Sequence, residues 1–192
     1  MIFQPKSISL IAEQFLNNEV GIFPFDTLLG LTGLANKDVI TRLESIKKRS
    51  SMPFIMIIPD LSYLSDLVEP LTDLQQSYIK KYWPGPVTFI FKKHKHVPDI
   101  ITSGKPTIGI RFANFLPLKF LLQKINQPIL STSANIHTQP VATTFSELSD
   151  ELKSQCDFCY DEILPRYNQC STIVDISTPT PTVLRKGVRS FE

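Results

Sequence analysis

The chain has 192 residues, 42% of them hydrophobic, with a formal net charge of +2 and a sequence pI of about 8.4. This composition excludes a disordered chain, and so small a charge argues against nucleic acid as the main partner. The sequence contains no run of about 18 apolar residues, and its N-terminus lacks the basic region and cleavage site of a secretory signal. We therefore expect no membrane association and a cytoplasmic location.

Apolar periodicity, capping residues and prolines predict helices and strands that are interleaved along the chain. In chain order these are a helix at 7–18, a strand at 20–25, a helix at 37–48, a strand at 54–58, a short helix capped by Asp60, a helix at 71–82, strands at 87–91 and 107–112, a helix at 116–125, a strand at 129–131, a helix at 145–153 and strands at 171–176 and 181–185. Several connections are too short for a parallel crossover. We therefore expect a single α/β domain over residues 1–192 with a twisted mixed sheet.

Polar residues recur at the ends of five predicted strands, as in "FPFDTLLGLTG", "TIGIR", "ILSTSAN", "STIVD" and "TVLRKG". Ligands of open α/β sheets bind outside strand ends, so these residues are expected to line one pocket. Arg49, Arg111 and Arg185 have the forked geometry that suits carboxylate or phosphate oxygens. Taken singly, an Asp-Thr after a strand is more often a turn, and an arginine at a strand end is more often a surface ion-pair partner. The residues by themselves predict an α/β domain with a pocket for an anionic small molecule.

Several familiar kinds of catalytic or binding motif are absent from the sequence. There is no P-loop and no GxGxxG fingerprint, so the usual nucleotide-binding folds are not indicated. No GxSxG elbow surrounds Ser133 and no histidine is its evident partner, so Ser133 is interpreted as a binding hydroxyl. The three cysteines, Cys156, Cys159 and Cys170, provide fewer than the about four ligands of a zinc site. We expect no tightly bound, protein-ligated metal.

Seven stretches taken in order resemble the YrdC/TsaC family of threonylcarbamoyl-AMP synthases. They are "FPFDTLLGLTG", "RLESIKKRSSMPF", "KYWPGPVTFIF", "TIGIRF", "ILSTSAN", "STIVD" and "VLRKG". The match runs from about residue 8 to residue 188, and the chain resembles the short form with one YrdC-like domain. The resemblance implies a twisted mixed α/β sheet with helices around a positively charged cavity.

The resemblance also implies a reaction. L-threonine, bicarbonate or CO2, and ATP with Mg²⁺ would give threonylcarbamoyl-adenylate and pyrophosphate. A transfer complex of the TsaD/TsaB/TsaE type would then use the adenylate to make N6-threonylcarbamoyladenosine (t6A) in tRNAs that read ANN codons. A weak affinity for tRNA or other RNA is a further expectation. Negative charge grows on phosphate oxygens in such a reaction, which suits positioning and cationic stabilisation without a covalent intermediate.

Site roles follow from the family motifs position by position. Lys47 and Arg49 are expected to be catalytic through their contacts with the ATP phosphates. The residues expected to bind L-threonine are Thr27, Arg111, Ser133 and Ser171. The residues expected to bind ATP are Lys47, Arg49, Thr107, Asn135, Thr143 and Arg185.

Two departures from the family pattern leave alternatives open. Phe25 stands where the family has threonine, and Met52 stands where it has a second lysine, so either one phosphate-binding charge is lost or Lys48 supplies it. The first alternative is a divergent YrdC-like ATP-binding protein with an altered substrate or lost activity. The second is a double-stranded RNA-binding module. A third is the related module of hydrogenase-maturation carbamoyltransferases, although the acylphosphatase-like and zinc-finger regions that accompany it are absent from this sequence.

Overall fold

The computed structural model describes residues 5–48, 53–136, 139–161, 163 and 165–192. In that part of the chain, none of the helices is long and apolar enough to cross a membrane. The described elements, in chain order, are α1 (Pro5–Leu16), β1 (Gly21–Pro24), β2 (Leu29–Leu34), α2 (Lys37–Lys47), β3 (Ile55–Ile57), α3 (Leu64–Leu67), α4 (Asp73–Tyr82), β4 (Val87–Lys92), α5 (Asp99–Thr102), β5 (Thr107–Arg111), α6 (Leu116–Ile125), β6 (Ile129–Ser133), α7 (Asp150–Ser154), β7 (Phe158–Cys159), β8 (Thr172–Asp175) and β9 (Thr182–Arg185).

The nine described strands form one sheet in the order β7-β1-β2-β6-β3-β5-β4-β8-β9. The pairs β1–β7, β3–β5 and β4–β8 are parallel, and the other neighbouring strands are antiparallel. The predicted α/β fold with a mixed sheet is therefore confirmed. The helices begin at the expected kinds of residue: Asn36 caps α2, and Thr72 forms a capping box with Gln75 at α4.

Alternation along β5 separates the core from the opposite face of the sheet. Ile108 and Ile110 are buried, and they pair across to Phe91 and Phe89 of β4. Because successive side chains of a strand point to opposite faces, the positions of Thr107, Gly109 and Arg111 face away from this aromatic cluster. The face that carries Arg111 is the one on which a cavity opens, as described below.

The expected end of β6 at residue 131 was wrong, because the strand continues to Ser133. It continues because it pairs with β2, a strand that the sequence did not predict: Ser131 lies opposite Thr32 and Ser133 opposite Gly30. Gly30 and Gly33 make β2 look like a loop, since glycine is disfavoured in strands. The structure needs Gly30, because a Cβ there would lie 2.3 Å from the ring of Phe25. The hydroxyls of "STSAN" thus lie largely within a paired strand.

The prediction of one continuous helix at 145–153 was also wrong. The chain forms a 3-10 turn at Phe145–Glu147 and then a separate helix, α7. Leu148 is extended between them, and the Ser149 side chain accepts a hydrogen bond from the Leu152 N–H, which starts the second helix.

Helix α1 begins at Pro5, two residues before its predicted start. The short elements α5 and β7 were not predicted.

The Asp157 carboxylate connects three segments at one edge of the sheet. It accepts hydrogen bonds from the Val20 N–H at 2.8 Å and from Arg42 of α2, whose Nη2 lies 2.6 Å from Oδ1. Burial raises the pKa of Asp157, but the hydrogen bonds from Arg42 and Val20 and the charge of Arg42 outweigh it and hold the pKa below its ordinary value of 3.8. The ionised carboxylate therefore stabilises the folded chain.

We expect Asp157→Asn to lower the free energy of unfolding by about 1 to 2 kcal/mol at pH 7, because it weakens hydrogen bonds to a charged acceptor. The folded-state pKa is depressed, so this contribution is complete above pH 3.8 and is lost as the pH falls through the folded pKa. Urea unfolding at pH 7, 5 and 3.5 should give equal differences at the first two values and a smaller one at the third. Asp150→Asn, at an exposed ion pair, is the control, and an equal loss there would contradict the assignment.

Candidate functional site: a polar cavity on the sheet

A cavity of about 360 Å³ opens on the face of the sheet that carries Arg111. Its wall includes apolar side chains from β3 and β8 and the ring of Phe25. The polar and charged residues that line it are Thr27, Lys105, Arg111, Ser131, Thr132, Ser133, Ser171 and Arg185. Among the described residues that line the cavity, three are basic and none is Asp or Glu. Such a lining suits an anionic ligand.

Arg111, the last residue of β5, is 4% exposed. Its Nε donates to the Gly85 carbonyl at 3.1 Å, its Nη1 donates to Thr27 Oγ1 at 2.9 Å, and its Nη2 forms an ion pair with Asp26. Burial lowers the pKa of Arg111, and the Asp26 carboxylate offsets this in part. A guanidinium has five N–H donors, and the described residues accept from three of them.

Asp26, the ion-pair partner of Arg111, makes contacts through both its side chain and its backbone. Its side chain is fully buried, and within the described residues its Oδ2 has no hydrogen-bond partner. Its backbone carbonyl accepts hydrogen bonds from the N–H groups of Arg166 and Tyr167, at 3.0 and 2.9 Å. Asp26 therefore ties the connection between β1 and β2 both to Arg111 and to a distant loop. Sequence reasoning gave Asp26 no role; its only signal was an acidic residue beside Thr27 after an apolar strand.

The "WPGP" turn before β4 supplies the third partner of Arg111. The Gly85 N–H donates to the Phe112 carbonyl at 2.8 Å, which places this turn beside the end of β5. A Cβ on Gly85 would lie 2.6 Å from the Tyr82 carbonyl oxygen, so the close approach requires glycine. Trp83 supports the turn by donating from Nε1 to the Val87 carbonyl. The sequence indicated a turn here but not its contact with Arg111.

Ser171 and Arg185 are held together across the last two strands. Arg185 donates from Nε to the Ser171 carbonyl and from Nη2 to Ser171 Oγ, both at 3.1 Å. Ser171 Oγ also lies 2.9 Å from Thr88 Oγ1, which is buried in β4. Thr88 is thus a supporting residue that sequence reasoning did not assign. The arrangement places a hydroxyl and a guanidinium next to each other in the cavity wall.

Lys47 lies behind the cavity wall at the C-terminal end of α2. Its buried ammonium group donates to the carbonyls of Ser133 and Asn135 at 2.9 and 2.5 Å, and to Asn135 Oδ1 at 2.6 Å. Ser133 Oγ donates to the same Asn135 Oδ1 at 2.7 Å. Of these three residues, Ser133 lines the cavity. Lys47 therefore fixes the backbone that follows β6.

The other predicted site residues differ in their placement. Thr107 begins β5, and Thr143 donates to Glu147 Oε2 from its N–H and its hydroxyl, at 2.8 and 3.0 Å; neither lines the cavity. Arg49 and Met52 lie outside the described residues. Lys48 forms an ion pair with Glu151 at 2.5 Å, so it faces α7. The cavity thus gathers Thr27, Arg111, Ser133, Ser171 and Arg185. The roles of the predicted site residues stay predictions.

Two further kinds of site, a metal site and a reactive cysteine, were sought in the part of the chain that the structure describes. There, no group of three or more His, Cys, Asp or Glu residues is placed to hold a metal ion. Burial raises the pKa of Cys156 to about 12, with smaller effects from Cys159 and Asp157. A thiol with so high a pKa is a poor nucleophile at neutral pH.

The fold and the cavity define an α/β protein with a mixed sheet and a pocket lined by hydroxyls and three basic side chains. The chain belongs to the Sua5/YciO/YrdC family, whose model, described as "Telomere recombination", matches residues 13–187. A relative from Methanocaldococcus jannaschii is 30% identical over 186 residues, which cover 95% of this chain and 86% of the relative. The threonylcarbamoyl-AMP synthase of Blochmanniella pennsylvanica is 29% identical over 183 residues, with 92% and 93% covered. The predicted family membership is confirmed.

Solved structures agree with this assignment. Pyrococcus abyssi Sua5 complexed with L-threonine superimposes with a TM-score of 0.91 at 25% identity, covering 97% of this chain and 56% of that one. Escherichia coli YciO superimposes with a TM-score of 0.83 at 26% identity, covering 97% and 92%. The chain thus spans about half the length of the Pyrococcus protein and nearly all of YciO.

We expect Arg111→Met to lower the free energy of unfolding by about 3 to 5 kcal/mol, because it leaves the Asp26 carboxylate buried without its cation. Adding Asp26→Asn should recover part of this loss, since the double variant has no unpaired buried charge. Urea unfolding of the two single variants and the double variant measures the coupling. A loss below about 1 kcal/mol in Arg111→Met, or no recovery in the double variant, would contradict a stabilising buried ion pair.

Proposed function

We propose that this protein is a threonylcarbamoyl-AMP synthase, which makes threonylcarbamoyl-adenylate and pyrophosphate from L-threonine, bicarbonate or CO2, and ATP. The observation that carries the proposal is the Arg111 guanidinium, which three partners fix at the cavity wall. Among the described residues, its other two N–H donors have no acceptor, which suits a carboxylate ligand. Relatives that match nearly the full chain have this activity in their names, and a similar structure was solved with L-threonine.

The amino-acid substrate binds between Arg111 and the neighbouring hydroxyls. Its carboxylate accepts from the two remaining N–H donors of Arg111, and the hydroxyls of Thr27, Ser133 and Ser171 contact its amine and its side-chain oxygen. The amine nitrogen forms a bond to the carbon of CO2 and loses a proton, which gives a carbamate. Positioning supplies most of this step, because the groups that hold the amino acid are themselves held by the fold.

The nucleotide binds beside the amino acid. A carbamate oxygen attacks the α-phosphorus, and the bond to pyrophosphate breaks. Arg185 and Arg49 stabilise the charge that grows on the phosphate oxygens, and Mg²⁺ bound to ATP would supply further positive charge there. Lys47, whose ammonium group donates to three acceptors of the fold, acts by holding the backbone at Ser133 and Asn135. The lining fits a metal that arrives with the phosphates, since its described residues include no carboxylate that would act as a ligand. Thr107, Asn135 and Thr143 contact the nucleotide.

The product is a mixed carbamic–phosphoric anhydride, which is reactive toward amines and water. A separate TsaD/TsaB/TsaE-like complex therefore transfers the threonylcarbamoyl group to adenosine in tRNAs that read ANN codons. We place the protein in the cytoplasm, where ATP, threonine and tRNA are available. Its organisation is that of one YrdC-like domain. Its own affinity for tRNA is weak, in keeping with a net charge of +2.

The purified protein with ATP, Mg²⁺, bicarbonate and L-threonine is expected to release pyrophosphate and form threonylcarbamoyl-adenylate. Release should require both threonine and bicarbonate, because the carbamate is the nucleophile. A coupled phosphate assay measures the pyrophosphate, and mass spectrometry detects the adenylate. Release with another amino acid in place of threonine would favour an altered substrate, and ATP binding without release would favour a relative that has lost the activity.

We expect Arg111→Lys to lower kcat/KM for threonine by about 100-fold or more, because lysine keeps the charge but not the fork that fits a carboxylate. The ATP affinity should change little. Arg42→Lys is the matched control, since Arg42 pairs with Asp157 outside the cavity. Steady-state kinetics with each substrate varied separates these effects, and an equal loss in both variants would refute the assigned role.

A further inference from the structure

Gly109 occupies the middle of β5, between cavity residues. It pairs with Ile55 of β3 on one side and with Ile90 of β4 on the other. Ile55 and Arg111 both line the cavity, and Gly109 lies two residues before Arg111 in the same strand. Alternation therefore directs its missing side chain to the face of the sheet on which the cavity opens.

The fold itself gives no reason for glycine at this position. Its φ is not in the left-handed region, where glycine is favoured. A Cβ on Gly109 would meet Thr88 Cγ2 at 3.9 Å and nothing closer, which is an ordinary contact. By contrast, a Cβ on Gly33 would lie 2.6 Å from Val39 Cγ1. Glycine inside a strand lowers stability relative to alanine, and it often marks a place where a ligand approaches the backbone.

The position along β5 indicates which part of a ligand would lie there. Arg111 and Lys105 both line the cavity and stand on either side of Gly109 in the chain, and Gly109 itself is only half-buried. Two residues of strand span about 7 Å. In an extended amino-acid adenylate of the proposed kind, five bonds separate the carboxylate carbon from the α-phosphorus, or about 6 Å. If the carboxylate is bound at the Arg111 end of this segment and the adenylate runs back along β5, these lengths put the α-phosphate and ribose at the level of Gly109.

We propose that Gly109 is a specificity-determining residue whose bare backbone leaves room for the α-phosphate and ribose of the nucleotide beside the bound amino acid. The inference rests on the proposed function for the identity of the ligand. It differs from the resemblance-based assignment of Thr107, because it concerns shape and involves no side-chain contact. A small side chain is tolerated at residue 109, and a larger one displaces the nucleotide without disturbing the sheet.

The test compares Gly109→Ala, Gly109→Val and Gly109→Leu with the unaltered protein. Calorimetric titration with Mg²⁺-ATP alone and with L-threonine alone gives the two dissociation constants, and thermal unfolding gives Tm. We expect Gly109→Val and Gly109→Leu to weaken ATP binding at least about 10-fold, since their side chains occupy the proposed ribose-phosphate space. The affinity for threonine should change less than about threefold, and Tm should stay equal or rise. Gly109→Ala should raise Tm and weaken ATP binding less than either larger side chain does, since a methyl group fills only part of that space.

Gly33→Ala is the control for a glycine that the fold requires, and it should lower Tm. Unchanged ATP binding in both Gly109→Val and Gly109→Leu would overturn the inference, and so would failure of both to fold, since the space would then not be open. Leucine is unbranched at Cβ and turns away from Thr88 more easily than valine does. If Gly109→Val alone misfolds, the ATP affinity of Gly109→Leu therefore tests the inference. ATP binding by the unaltered protein without pyrophosphate release would overturn the proposed function and leave the Gly109 measurement valid; no ATP binding would overturn both.

Discussion

The buried ion pair between Arg111 and Asp26 is the constraint on which the site depends. Moving both charges out of water is costly, and the fold offsets that cost only if the guanidinium finds further acceptors. Thr27 Oγ1 and the Gly85 carbonyl provide them. The pair therefore fixes the connection between β1 and β2, the end of β5 and the turn before β4 relative to one another. Through its carbonyl, Asp26 adds the segment at 166–167.

A similar arrangement recurs at two other cations, Arg185 in the cavity wall and Lys47 behind it, which are bound to backbone and side-chain oxygens of the fold. Arg185 holds Ser171 by two hydrogen bonds, and Lys47 holds the backbone at Ser133 and Asn135. Side chains fixed in this way lose little freedom when a ligand binds. Pre-organised donors of this kind stabilise developing negative charge, because they need not reorient during the reaction. A site of this type suits adenylate chemistry, in which positioning and charge stabilisation are the main requirements.

Much of the fold was predictable because its elements follow strong local rules. The helix at 116–125 and the start of the strand at 107 match their predicted bounds, since apolar periodicity and flanking turn residues mark them clearly. Strand β2 was missed because its glycines serve tertiary contacts that no local pattern reveals. The break between the 3-10 turn at 145–147 and α7 was missed because apolar periodicity does not reveal the extended backbone of Leu148 or the capping bond to Ser149.

The site was predictable only in part. Motif resemblance named Thr27, Arg111, Ser133, Ser171 and Arg185, all of which line the cavity. The partners that hold them were not predicted, because they come from segments distant in sequence. Asp26 is 85 residues from Arg111, and Thr88 is 83 residues from Ser171. Gly109 was not singled out, since a glycine inside a strand carries no chemical group to attract notice.

A crystal structure of the protein with L-threonine tests the central claim most directly. The account predicts the carboxylate within hydrogen-bonding distance of Arg111 Nη1 and Nη2, with the contacts of Arg111 to Asp26, Thr27 and Gly85 preserved. Threonine bound elsewhere, such as in the apolar groove beside α3 and α4, would contradict it. So would a bound carboxylate that displaces Asp26 from Arg111, because the ion pair would then compete with the substrate and would not position it.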